Sequence, residues 1–93
     1  MYKEYYNTYL ASDCRGGNRS LAFWQSNGAI SWRWSDQFDD CRNACGGDSA
    51  CFGFTFTPSY SKTDGGGNNC FMFQHPPKTC DGGSYGPISG VWS

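Results

Sequence analysis

The spacing of six cysteines, Cys14, Cys41, Cys45, Cys51, Cys70 and Cys80, constrains this chain more than any other feature. An even number at this density in a small chain marks a disulfide framework formed in an oxidising compartment. The rival use of cysteine is zinc, which favours close ligand pairs such as C-x2-C or H-x3-H. The chain has no C-x-x-C and a single histidine, so bridges are expected and neither metal nor cofactor is. A chain of 93 residues makes one domain whose core alone gives thin stability. Each bridge contributes about 2–4 kcal/mol, so the cross-links are structural.

Four of the cysteines fall in the stretch Ser35 to Phe73. Ser35 or Asp36 is placed to cap a helix, and Asp36, Asp39 and Asp40 set negative charge at its positive end. Phe38, Cys41 and Cys45 then share one helical face, and Gly46-Gly47 offers the positive φ that ends a helix. Cys51 leads into Phe52-Gly53-Phe54-Thr55-Phe56-Thr57, whose alternation predicts a strand with Phe on one face and Gly and Thr on the other. Cys70-Phe71-Met72-Phe73 reads as its partner. Between them lies a Gly/Asn-rich loop read as a flexible linker. Its Asp64 to Asn69 segment carries oxygen ligands but lacks the spacing of a calcium loop.

Upstream, Leu21–Trp24 and Ala29–Trp34 read as two strands joined at Asn27-Gly28, a hairpin signal. Alternation puts Ile30, Trp32 and Trp34 on one face. Residues 1–11 form a Tyr-rich arm or edge strand (Tyr2, Tyr5, Tyr6, Tyr9), and residues 12–93 the domain proper. Asn18-Arg19-Ser20 is an N-glycosylation sequon, making Asn18 the acceptor candidate. Two prolines make Gln74–Thr79 a loop. Pro87–Trp92 reads as a last short strand, with a bulge at Gly90.

Chemistry is harder to find. Net charge is −1, from seven basic and eight acidic residues, and no basic block supports nucleic-acid binding. The apolar runs are too short for membrane insertion. MYKEYYNTYL has no apolar h-region, so secretion implies a leader already removed or a domain excised from a longer chain. The lone His75 sits beside prolines, and Asp39 and Asp40 are helix neighbours that do not face each other. Bridged cysteines leave no thiolate nucleophile. No enzyme is expected. Binding remains, because seventeen aromatic residues exceed what so small a core needs. Trp24, Trp32, Trp34 and Tyr60 are the contact candidates, with Gln25 and Arg33 as polar partners.

With these pieces in view, the chain resembles the apple/PAN family of extracellular modules. The resemblance is carried by C41-x3-C45-x5-C51 with FGFTF directly after it, by NNCFMF, and by the C-terminal PISGVW. It implies a small disulfide-rich α+β fold in which a curved antiparallel sheet packs on one short helix. It also implies the pairing Cys14–Cys80, Cys41–Cys70 and Cys45–Cys51, one of many that six cysteines permit. The function it implies is a secreted, non-catalytic binding or adhesion module whose partner is a glycan or an extracellular protein. The alternative is a structural subunit of a homo-oligomeric or filamentous extracellular assembly. Its motives are the tyrosine-rich start and the terminal Val91-Trp92-Ser93, both suited to strand addition.

Overall fold

The computed structural model describes residues 5–8, 18–75 and 88–92. The expectations for Cys14, Cys80 and most of the 74–79 loop lie outside the described residues. The fold is α+β, in the order β1 (Tyr5–Thr8), α1 (Leu21–Ser26), β2 (Ala29–Arg33), α2 (Phe38–Gly46), β3 (Gly53–Phe56), β4 (Cys70–Phe73) and β5 (Ile88–Trp92). The strands form one antiparallel sheet ordered β1-β5-β3-β4-β2.

Every residue of β3 and β4 is buried, because the sheet is covered on both faces. On one face Phe54, Phe56, Cys70 and Met72 pack with Cys41, Cys45 and Cys51, and Phe38, Ala44 and Trp92 close over them. This is the α2 side. Two disulfides stitch it, Cys41–Cys70 from helix to sheet and Cys45–Cys51 across the bend after the helix. On the other face Phe71 and Phe73 pack with Trp24 and Tyr60, flanked by Leu21, Phe23, Ala29 and Trp32. This is the α1 side, and no sulfur bridge belongs to it among the described residues.

The second cover corrects the one-helix expectation. Leu21–Trp24 is helical because Ser20 caps it, its Oγ accepting from the Phe23 amide at 3.3 Å. Asn27 caps the other end, donating from Nδ2 to the Phe23 carbonyl at 2.8 Å. Gly28, at φ +100°, takes the left-handed turn that lets the chain leave the helix. Asn27-Gly28 is therefore a helix stop rather than a hairpin.

Helix α2 meets its core as expected, with Cys41 and Cys45 buried and Phe38 packed beside them. Asp39 and Asp40 occupy its first turn, where the helix dipole favours them. Its cap is Gln37, which makes no side-chain cap bond. Ser35 and Asp36 are committed elsewhere, Ser35 to Asn69 through its backbone and Asp36 to the Trp34 indole. Neither Gly46 nor Gly47 has a positive φ. Gly46 is small for another reason: a Cβ there would stand 2.6 Å from Cζ2 of Trp92, whose Nε1–H donates to the Arg42 carbonyl at 3.1 Å.

The bulge also lies elsewhere than expected. β5 runs in unbroken register against β1 and β3 through Gly90. The irregularity is in β2, between Ala29 and Ser31, against Phe73 and Met72 of β4. The extra residue is Ile30, which is 44 % exposed. It breaks the alternation that had set Ile30 on one face with Trp32.

Candidate functional site

The aromatic candidates divide into two groups. Trp24 is 1 % exposed and Tyr60 6 % exposed, a burial that removes both from ligand contact and corrects their place among the candidates. The physical reason is α1. It lays the Trp24 ring on Phe71 at 4.5 Å, nearly parallel. The indole N–H donates to the Tyr60 hydroxyl at 3.0 Å, and the Arg19 amide donates to the same oxygen at 2.8 Å. Both polar tips are satisfied indoors, which is what lets such rings serve as core.

The second group follows β2 and the residue after it. Trp32 is half-buried, opposite Phe71 in the register and packed at the margin of the α1-side cluster. Arg33 is exposed and pairs with Cys70, so it belongs to the opposite face from Trp32. Trp34 is half-buried just beyond the strand. Its Nε1–H donates to Oδ1 of Asp36 at 3.1 Å, and Nζ of Lys62 stands 4.8 Å from the ring centroid. Gln25 is exposed on α1. The structure thus gathers Trp34, Lys62 and Asp36, with Trp32 two residues upstream on β2, whereas Arg33 belongs to the face opposite Trp32 and Gln25 sits on α1.

What holds Trp34 in place is Asn69. Its amide donates to the Arg33 carbonyl at 3.2 Å. Its side chain then makes a closed pair with the Ser35 backbone: Oδ1 accepts from the Ser35 amide and Nδ2 donates to the Ser35 carbonyl, both at 2.7 Å. Asn69 is itself buried. The backbone on both sides of Trp34 is therefore pinned from within while the side chain reaches the surface. Lys62 and Asn69 escape sequence reasoning because a loop cation over a ring, or one amide reading another strand's backbone, leaves no periodic trace.

The loop that carries Lys62 is not the flexible linker expected. Oδ2 of Asp64 accepts from the Ser61 amide at 2.9 Å, Ser61 Oγ at 3.1 Å and Asn18 Nδ2 at 2.8 Å. Gly65, Gly66 and Gly67 all take positive φ, curling the chain so that the Gly65 amide donates to the Arg19 carbonyl at 2.9 Å. Asn68 then closes the turn with Nδ2 donating to the Gly65 carbonyl at 2.9 Å. Asn18, the sequon residue, is exposed and is one of this loop's anchors, with Ser59 Oγ donating to its Oδ1 at 3.3 Å.

The remaining chemical candidates stand apart. His75 is exposed past the end of β4, and Asp39 and Asp40 are exposed on α2. The carboxylate of Asp39 meets Arg42 at 3.5 Å. Cys41, Cys45, Cys51 and Cys70 are all bridged. Among the described residues no three His, Cys, Asp or Glu side chains cluster as metal ligands, and no helix is long and apolar enough to cross a membrane. In comparison with known proteins, no family model matches the chain, and no curated protein or solved structure is significantly similar to it.

Proposed function

We propose that this domain is a non-catalytic extracellular binding module of the apple/PAN type, recognising carbohydrate or protein ligands. The observation that carries the reading is the half-buried Trp34 ring, its flanking backbone held by a buried amide clamp and a loop cation over its face. A ring fixed this way gives a stacking surface that costs little ordering on binding. Support for the family comes from the two bridges that the resemblance implies, Cys41–Cys70 and Cys45–Cys51. Those bridges also support an oxidising, extracellular setting. The test is a glycan array probed with the wild-type chain and with Trp32→Ala and Trp34→Ala, each checked for folding by circular dichroism. Binding that both substitutions weaken supports the reading; no binding to any glycan shifts it to protein ligands.

The second reading, a subunit of an extracellular assembly, has one observation in its favour. β1 and β2 are the outermost strands of the described sheet, the positions from which strands are added between copies. The bulge at Ile30 counts against β2 as such an edge, since bulges interrupt further pairing. Sedimentation across a range of concentrations separates the readings: a monomer throughout removes the assembly.

A further inference from the structure

The charge around Trp34 narrows the ligand class, on the premise that the domain binds glycans at this surface. Lys62 is exposed, and neither it nor Arg33 makes an ion pair among the described residues. The Lys62 ammonium stays over the indole face, 4.8 Å from its centroid, because the ring's negative quadrupole is the partner in reach. The C–H face of a pyranose is electropositive in the same sense and makes the same kind of contact. A ligand that supplied both such a face and an anion would replace the ammonium on the ring and receive it in turn. Asp36 holds the indole N–H at 3.1 Å, so one carboxylate occupies the ring's edge and directs an incoming anion away from it, toward Lys62.

The site is also small. One ring and one cation suit a sugar better than a protein partner, whose interface needs about 800 Å² per side and an apolar centre supplied from beyond this group. Among the residues whose side chains the structure describes, Ile30 is the one large apolar side chain that is exposed. A single sugar unit needs only one ring face and one charge, which Trp34 and Lys62 supply.

We propose that the Trp34–Lys62 surface binds an acidic sugar, a pyranose carrying a carboxylate or sulfate, its C–H face on the indole and its acid group on the Lys62 ammonium. Asn69 is a positioning residue, since its hydrogen bonds fix the backbone of residues 33 and 35 on either side of Trp34.

The experiment is an array of neutral, uronate-containing, sialylated and sulfated oligosaccharides, probed with wild type, Trp34→Ala, Lys62→Gln and Asp36→Asn at low and physiological salt. The expected result is preference for acidic over neutral glycans, weakened by salt as a surface charge contact must be. Lys62→Gln should cut the acidic-to-neutral ratio roughly tenfold while leaving weak neutral binding, and Trp34→Ala should lose both. Asp36→Asn should raise acidic binding. Uronate and sulfate arms distinguish the two sources of the anion. Neutral binding that depends on Trp34 but not on Lys62 overturns this inference and leaves the glycan-binding reading standing. No binding to any glycan overturns both. All four proteins are compared by circular dichroism, and Lys62→Gln, on an exposed side chain, serves where Trp34→Ala fails to fold.

Discussion

Two single residues show how tightly the α1 side is specified. The Tyr60 hydroxyl is the acceptor for the buried Trp24 indole N–H. Tyr60→Phe keeps the ring and removes that acceptor, stranding a donor away from water. The expected loss is about 1–3 kcal/mol, read from the urea midpoint with the slope unchanged. Gly65 is constrained twice over. Its φ is +56°, and a Cβ there would lie 2.6 Å from the Asn68 carbonyl and 2.8 Å from Phe71 Cζ. The left-handed conformation alone costs a side chain about 1–2 kcal/mol, and the carbonyl cannot move without breaking the turn. Gly65→Ala is therefore expected to destabilise by about 2 kcal/mol or more, and to shift the Trp34 indole resonance, since the loop also carries Lys62.

Among the elements, the packing of Trp92 on α2 gives a paired prediction. Gly46→Ala gains about 1 kcal/mol of helix propensity, but its methyl would collide with the Trp92 ring. Overpacking of this kind costs about 1–3 kcal/mol, so the collision wins and the melting temperature falls. At Gly47 a Cβ would meet only the Asn43 carbonyl, at 3.4 Å, and φ is −85°, so Gly47→Ala should melt within a degree or two of wild type. The same elements show what the chain discloses in its letters. α2, β3 and β4 were legible because their periods and flanking cysteines agree, and β5 because a proline precedes its short apolar run. α1 was not, because a short apolar run such as Leu21–Trp24 fits either period. Its caps were written plainly, Ser20 before and Asn27-Gly28 after, but Asn-Gly also serves hairpins. Trp34 was legible as a surface candidate. Its neighbours were not, since Lys62 acts across 28 positions through one ring contact and Asn69 across 34 through a pair of side-chain hydrogen bonds.

For the molecule as a whole, the two described bridges should differ in weight. Cys41–Cys70 closes a separation of 29 residues and Cys45–Cys51 one of 6. Chain entropy assigns them about 3.6 and about 2.2 kcal/mol. Replacing both cysteines of the first pair by alanine should lower the denaturant midpoint more than replacing the second pair, and equal shifts would count against an entropic origin. The burial of β3 and β4 on both faces has a further consequence. With no side chain turned toward water, the central strands offer mutation nothing to rewrite without damage to the fold. A lineage built on this plan would keep its middle nearly constant and diversify along the rim, at the outer end of β2 and at exposed loop positions such as Lys62, where a new preference can be acquired without disturbing what holds the domain together.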